Sequence, residues 1–203
     1  MGKIAIVDYG MGNLRSVEKA CIYAGYDAVI TDDRAVLRSA SHVILPGVGA
    51  VKDALDSLKQ RGLWDEVIRQ ARSGKPFLGI CLGMQMLFEK SFENGEFDCL
   101  GLIPGQVVPF DVPGLRVPHI GWNNIEIVDN PLFQNESQPQ YVYFVHSYHG
   151  ANAPKKNVIA TANYGYDFIA AVQEGNIFGT QFHPEKSGET GIKIIKKFGG
   201  MKL

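Results

Sequence analysis

The sequence is short of cysteine, of net charge and of long hydrophobic runs, and each shortage excludes a class of protein. Its three cysteines, Cys21, Cys81 and Cys99, are odd in number and widely spaced, which excludes a disulfide framework and a zinc knuckle. A formal net charge of -1 argues against a nucleic-acid or membrane-surface partner. Since no apolar stretch reaches about 18 residues, we expect no membrane span, and the N-terminus does not resemble a signal peptide. Unpaired thiols fit a reducing compartment, so we expect a cytoplasmic protein.

Short apolar strands alternate with helical segments in the first 90 residues. Asn13 can cap a first helix, and Gly25 is well placed to end it. A second helical stretch breaks at Gly62. The alternation implies right-handed βαβ units and a parallel sheet with helices on both faces. The predicted strands are residues 3–7, 28–30, 42–45 and 76–80, and the later predicted helices are residues 51–71 and 82–90.

The second half of the chain changes to strand-like runs separated by turns, with one final helix over residues 192–198. We therefore expect an α/β fold whose mostly parallel central sheet carries an antiparallel elaboration. Neither a repeat nor a linker divides it, so we expect one domain spanning residues 1–203. The strand-like runs are residues 107–108, 122–128, 141–146, 158–164, 168–173 and 176–182.

A candidate nucleophile lies where the fourth predicted strand meets a helix. Gly79 and Gly83 flank Cys81 in the pattern Gly-x-Cys-x-Gly, the thiol form of a nucleophile elbow. The glycines remove side chains that would clash at a sharp strand-to-helix turn, and the helix N-terminus favours a thiolate. The alternative is a buried structural cysteine, which is the interpretation we adopt for Cys21 and Cys99.

A candidate base follows at the tip of a later strand. Pro184 ends that strand after His183, and Glu185 lies two residues on, where its carboxylate can accept the Nδ1–H of the imidazole. The alternative is a surface histidine beside a solvated glutamate. Among the other histidines, we interpret His42, at the start of a predicted strand, as structural. His146 and His149 are able to line a pocket. No histidine, cysteine or carboxylate cluster has metal-ligand spacing, so no metal is expected.

Five blocks, spread from near one end of the chain to near the other, carry a resemblance. Together with the elbow, they resemble the class I, triad-type glutamine amidotransferases, in particular the glutaminase subunits of imidazole glycerol phosphate synthases. That resemblance implies a flavodoxin-like amidotransferase fold. The blocks are DYGMGN at residues 8–13, LPGVG at 45–49, PHIGWN at 118–123, YFVHSY at 143–148 and GTQFHPEKS at 179–187.

The resemblance implies hydrolysis of L-glutamine to glutamate and ammonia, without a cofactor. It gives Cys81 the role of nucleophile, His183 that of general base and acid, and Glu185 that of orienting His183. Backbone N–H groups of Leu82 and of Val48, the latter after a peptide flip, are then the oxyanion donors. The glutamine contacts that it implies are Gly49, Gln85, Ser147 and Tyr148.

The resemblance also implies a heterodimer with a (β/α)₈-barrel cyclase subunit. In the family, that partner receives the ammonia and makes imidazole glycerol phosphate and AICAR in histidine biosynthesis. The matching residues expected to face the partner or couple to it are Asn13, Pro118, His119, Trp122, Tyr143 and Lys186.

Other interpretations stay open at the level of sequence. A paralogous glutaminase that feeds a sugar amidotransferase in surface-polysaccharide synthesis would carry the same triad. In an α/β-hydrolase the acid precedes the histidine in sequence, but here Glu185 follows His183. Flavodoxin-like cysteine peptidases usually place histidine directly after the nucleophile, where this chain has Leu82. A nucleotide-binding module is weakly suggested by Gly10 and Gly12, but Arg15 replaces the third glycine of the fingerprint.

Overall fold

A computed structural model describes residues 3–134 and 140–202. Within these ranges no helix is long and apolar enough to cross a membrane. The strands are β1 (Ile4–Val7), β2 (Ala28–Thr31), β3 (His42–Gly47), β4 (Phe77–Cys81), β5 (Lys90–Ser91), β6 (Phe97–Asp98), β7 (Gln106–Pro109), β8 (His119–Ile127), β9 (Gln140–His146), β10 (Tyr148–Ala151), β11 (Val158–Asn163), β12 (Asp167–Glu174) and β13 (Ile177–Thr180). The α-helices are α1 (Leu14–Tyr23), α2 (Arg34–Ser39), α3 (Val51–Gln60), α4 (Trp64–Ala71), α5 (Leu82–Leu87) and α6 (Gly188–Gly200), and 3-10 helices cover Lys155–Asn157 and Pro184–Lys186.

The sheet has a parallel half and a mostly antiparallel half, in which β5 and β7 pair in parallel. Strands run in the order β2-β1-β3-β4-β13-β12-β10-β7-β5-β6, and β11, β8 and β9 branch from β12. Pairing is parallel from β2 to β13 and antiparallel between β13, β12 and β10. The predicted α/β fold with a later antiparallel elaboration is thus confirmed. Because β3, β4 and β13 are parallel, their carboxyl ends meet at one edge, where open α/β sheets bind ligands.

The core occupies both faces of the parallel half. Successive side chains of a strand point to opposite faces, so Ile4 and Ile6 join one apolar cluster while Ala5 and Val7 join the other. Helices α1 and α6 cover the first cluster, and helices α2 to α5 cover the second. Burial on both faces explains why the parallel strands are almost wholly apolar.

Several element boundaries differ from those predicted. The helix predicted over residues 82–90 ends at Leu87, and the chain then forms the short strand β5. The side chain of Asn13 makes no capping hydrogen bond at α1, which corrects the expected cap. Gly25 does end that helix, at φ +96°, with its N–H 2.9 Å from the carbonyl oxygen of Ile22. Helix α2 and strand β10 have no counterpart among the predicted elements.

Candidate active site

Cys81 ends strand β4 and adopts φ +55°, a left-handed conformation that side chains avoid unless the surroundings enforce it. Helix α5 begins at the next residue, Leu82, so the first amides of that helix lie beside the sulfur. The turn needs its glycines, because a Cβ on Gly79 would come within 2.7 Å of the Gly83 carbonyl oxygen. A Cβ on Gly83 would overlap the carbonyl oxygen of Leu45. The predicted elbow is therefore present as a strained, closely packed turn.

His183 and Glu185 lie just past the carboxyl end of β13 and form a buried pair. The Nδ1 atom of His183 is 2.8 Å from Oε1 of Glu185, and the two side chains are 2% and 1% exposed. The short 3-10 helix Pro184–Lys186 turns the chain so that a carboxylate two residues away reaches the imidazole. Nε2 of His183 has no close hydrogen-bond partner in the described ranges, although the Cys81 sulfur lies near enough to shift its titration.

Nearby charged groups shift the pKa of His183 in the opposite direction to burial. Burial disfavours an imidazolium at His183, but the Cys81 sulfur and the Glu185 carboxylate outweigh burial and raise the pKa of His183 from 6.5 to about 10. His183 is therefore protonated at neutral pH. The thiols of Cys21 and Cys99 show the opposite case, since burial raises their pKa to about 12 and leaves them protonated.

The loop after β3 lies directly beside the elbow, because Gly47 is the register partner of Cys81. Tyr9 supports this loop from below, donating from its hydroxyl to the carbonyl oxygen of Pro46 at 2.8 Å. A Cβ on Gly47 would come within 2.5 Å of that hydroxyl, so the close approach requires glycine. Gly49 follows at φ +95°, and Val48 between the two glycines is 39% exposed.

A cavity of about 370 Å³ opens above Cys81. Clefts of about 530 and 750 Å³ elsewhere on the surface contain neither Cys81 nor His183, so size does not single out the reactive site. The residues predicted to bind glutamine or to stabilise an oxyanion all lie in this cavity wall. They are Val48, Gly49, Leu82, Gln85, Ser147 and Tyr148.

Two polar residues lie at the site although the sequence did not predict them there. Nε2 of Gln181 lies 3.8 Å from the Cys81 sulfur, and Gln181 is fully buried. Its place two residues before His183 was the available signal. The carboxylate of Glu93 reaches the cavity, accepting from the N–H of Val51 at 2.6 Å, and burial raises the pKa of Glu93. Glu93 follows a two-residue strand, which leaves no motif to reveal it.

The residues expected to face or couple to a partner take several positions. Asn13 is exposed, and Trp122 is 57% exposed, whereas His119 is 4% exposed and lies inside. The half-buried Tyr143 sits between the Trp122 ring, 6.1 Å from its own, and Nζ of Lys186, 5.9 Å from its centroid. Pro118 and Lys186 also line the cavity.

No group of three or more histidine, cysteine, aspartate or glutamate side chains within residues 3–134 and 140–202 is arranged to hold a metal ion. The groups that the structure brings together at this edge are a thiol, an imidazole, a carboxylate and amide groups.

A sheet of this topology, with a cysteine elbow and a histidine–glutamate pair at its carboxyl edge, defines a class of enzyme. The profile of the family described as "Glutamine amidotransferase class-I" matches residues 5–199. The chain belongs to this family.

Relatives of high sequence identity show to which group of amidotransferases the chain is similar. A protein of Caldanaerobacter subterraneus subsp. tengcongensis is 50% identical over 199 residues, covering 98% of both chains. A protein of Syntrophotalea carbinolica is 49% identical over 207 residues, covering 98% of this chain and 100% of its own. Both are called imidazole glycerol phosphate synthase subunit HisH. Within the amidotransferases, the chain groups with these HisH subunits.

Solved structures support the fold. The structure of PurLQS from Thermotoga maritima aligns with a TM-score of 0.77 at 23% identity, covering 98% of each chain. A glutamine amidotransferase from Thermotoga maritima aligns with a TM-score of 0.64 at 20% identity, covering 98% of this chain and 82% of its own. At these identities the likeness concerns the fold alone.

Proposed function

We propose that this chain hydrolyses L-glutamine to glutamate and ammonia at Cys81, as the glutaminase subunit of imidazole glycerol phosphate synthase in histidine biosynthesis. The observation that carries the proposal is the buried pair of His183 and Glu185, 2.8 Å apart, beside a cysteine on a strained elbow. The names of the relatives support the pathway, and they favour it over the sugar-amidating alternative. We also propose that residues 1–203 form a single amidotransferase domain and that the protein is cytoplasmic.

In the first step the thiol proton of Cys81 is held by His183 on Nε2, and the sulfur attacks the side-chain amide carbon of glutamine. The amide oxygen takes the negative charge, and the C–N bond then breaks while His183 donates its Nε2 proton to the departing nitrogen. Ammonia leaves and a γ-glutamyl thioester remains on Cys81. Glu185 holds the imidazolium in place and stabilises its charge.

The oxyanion of this step needs two backbone donors. The N–H of Leu82, the residue after the nucleophile, is one. The N–H of Val48 becomes the other after a flip of the Gly47–Val48 peptide, and the flanking glycines lower the cost of that rotation. Each well-placed donor contributes roughly 3 kcal/mol in the transition state.

In the second step water hydrolyses the thioester. His183, neutral after giving up its proton, removes a proton from water, and the hydroxide adds to the thioester carbon. Collapse of the intermediate breaks the C–S bond and releases glutamate. The sulfur and the imidazolium return to their starting state.

Glutamine binding is assigned to the cavity wall. Both Nε2 protons of Gln85 are used within the protein, so Gln85 offers its Oε1 acceptor to the ligand. Gly49, Ser147 and Tyr148 supply further contacts. The carboxylate of Glu93 provides the negative charge that would pair with the α-ammonium group of glutamine.

The proposed partner is a (β/α)₈-barrel cyclase that forms a heterodimer with this chain and uses the ammonia to make imidazole glycerol phosphate and AICAR. The name of the relatives as subunits supports a partner. On strand β8, Ile120 and Trp122 are exposed by 59% and 57%, and an apolar surface of this kind fits docking of another protein. Tyr143 pairs with Trp122 across the sheet, and Pro118 and Lys186 line the cavity above Cys81. Asn13 is exposed just before α1, and buried His119 couples from within.

The test is glutamate release from L-glutamine, measured with and without the barrel subunit and its ligand. We expect Cys81→Ala to abolish release while leaving partner binding intact, since the thiol is the nucleophile. Cys99→Ala is the matched control, because it removes another buried thiol and should retain activity. Undiminished release by Cys81→Ala would reject the thioester mechanism. Formation of imidazole glycerol phosphate in the complex separates the histidine pathway from sugar amidation.

A further inference from the structure

A continuous row of hydrogen bonds runs from strand β8 to the nucleophile, through two histidines that the proposed reaction does not use. We propose that His119 and His146 are positioning residues, which hold the wall of the glutamine cavity in register with Cys81. The inference rests on the proposed glutaminase function. It assigns to the buried histidine pair a role in orienting other groups rather than in moving protons.

The outer half of the row crosses from β8 to β9 and then to β10. His119 and His146 are direct register partners, and Nδ1 of His119 is 3.0 Å from Nε2 of His146. Nε2 of His119 is 3.4 Å from the amide nitrogen of Asn123, which lies four residues along the same face of the strand. Nδ1 of His146 is 2.9 Å from the carbonyl oxygen of Tyr148.

The direction of every bond in this half follows from one carbonyl. The Tyr148 oxygen only accepts, so Nδ1 of His146 carries a proton. Nε2 of neutral His146 then accepts, which requires the proton of His119 to lie on Nδ1. Nε2 of His119 is left to accept from Asn123. Burial lowers the pKa of His146 to about 3 and that of His119 to about 4, so both rings are neutral at pH 7, as the row requires.

The inner half passes from the same carbonyl to the sulfur. The Tyr148 oxygen also accepts from Nε2 of Gln85 at 2.9 Å. The second Nε2 proton of Gln85 goes to Oε1 of Gln181 at 3.1 Å. Nε2 of Gln181 then lies 3.8 Å from the sulfur of Cys81. Both glutamine amides are thus oriented by a carbonyl that His146 holds.

Packing alone does not account for a histidine at position 119. Its ring stacks between Phe144, at a centroid distance of 4.9 Å, and Tyr164, at 4.1 Å. A phenylalanine would fill the same slot without bringing two polar nitrogens into the interior, where unpaired polar atoms are costly. Both ring nitrogens of His119 are instead used, one on each side, and this points to the row of hydrogen bonds as its purpose.

The first test is spectroscopic and needs no activity. Long-range ¹H–¹⁵N correlation spectra of the full chain, labelled in its histidines, distinguish Nδ1–H from Nε2–H tautomers. We expect His119 and His146 to be neutral with Nδ1–H at pH 7. His42 is the internal control, because its Nε2 is 3.1 Å from the carbonyl oxygen of Met201, and it should show the opposite tautomer. An Nε2–H or imidazolium signal from either His119 or His146 would overturn the inference.

The second test is His119→Phe, assayed as the complex with the barrel subunit. The ring stack remains, but Nε2 of His146 loses its donor and becomes a buried acceptor without a partner. We expect the KM for glutamine to rise about tenfold, the order of effect of an unpaired buried acceptor, with kcat changed much less. In the same variant the proton of His146 should stay on Nδ1, because the Tyr148 carbonyl oxygen still accepts from it, while the ¹⁵N signal of Nε2 should shift as its donor is lost.

Tyr166→Phe is the matched control. It removes the hydroxyl that lies 2.8 Å from Nε2 of His149. This hydrogen bond is not part of the row that leads to the sulfur, so the KM for glutamine should stay within about twofold. An unchanged KM in an active, folded His119→Phe complex would refute the positioning role. Absence of glutamate release by the unmutated complex would instead refute the proposed function, and the two failures are thereby distinguished.

Discussion

Replacing Glu185 by glutamine tests how the carboxylate controls His183. Glutamine keeps the shape of the side chain but removes the negative charge 2.8 Å from Nδ1. Its amide nitrogen can also donate to Nδ1, which would leave the proton on Nε2 and the imidazole neutral. The variant should therefore lower the pKa of His183 below its value of about 10 and deprive the leaving ammonia of its acid.

The size of the effect follows from the contributions to that pKa. Each pKa unit corresponds to about 1.4 kcal/mol, and the Cys81 sulfur, which remains, shares the shift with Glu185. The share of the carboxylate is then about 2 kcal/mol of stability. Because the pKa of folded His183 is raised, this stability is fully present below pH 6.5 and is lost as the pH rises through about 10. The melting temperature should fall by roughly 4–8 °C at pH 6 and hardly at all above pH 10.

The catalytic loss should be larger than the loss of stability. A wrong tautomer in a comparable triad lowers kcat by about 10,000-fold, and we expect a loss of at least about 1,000-fold here. The KM for glutamine should change little, since Glu185 is not part of the cavity wall. Glu189→Gln removes the same charge from an exposed position on α6 and should behave as the unmutated chain. A Glu185→Gln enzyme that keeps kcat within tenfold would refute the reasoning.

Three further outcomes follow from the geometry and the pKa values. In the folded chain at pH 7, iodoacetamide should modify Cys81 alone, because Cys81 lines the cavity whereas the other two thiols have a pKa of about 12. Intact mass spectra showing two or more adducts would contradict this. Gly83→Ala, whose Cβ overlaps backbone, should lower the unfolding free energy by about 3 kcal/mol, whereas Gly200→Ala, with 3.4 Å of clearance, should not destabilise; denaturant unfolding compares the two. Because His183 is protonated up to about pH 10, kcat/KM should lack an inflection near pH 6.5, and a sigmoidal rise there would contradict its role as a resident acid.

The sequence predicted those parts of the site whose residues lie only two positions apart along the chain. Gly79 and Gly83 sit two residues either side of Cys81, a spacing that favours a tight turn where a strand meets a helix. His183 and Glu185 are two residues apart, so one short turn brings them together. In both cases the signal lies in neighbouring residues, so a short window of sequence can reveal it.

The parts that were missed depend on contacts between distant segments. Helix α2 has six residues, too few for a clear period, and it is held by the buried carboxylate of Glu66, 2.7 Å from Arg38. Its last carbonyls are bound by Nζ of Lys75, which is 2.8 Å from the oxygen of Ala40. Likewise, Gln181 reaches its partners across the sheet, 96 and 100 residues away. Nothing within a short window of sequence reports these pairings.

The protonation state of His183 determines the order of the two steps of the proposed reaction, acylation of Cys81 and hydrolysis of the thioester. At neutral pH the imidazole already holds the proton that the departing ammonia needs. Glu185 occupies Nδ1, which leaves Nε2 as the one nitrogen through which protons pass. Once ammonia has taken that proton, the same nitrogen is free to accept one from water. A base cannot act on water before the acid step is complete, and acylation must therefore precede hydrolysis at a site with a single proton-transferring atom.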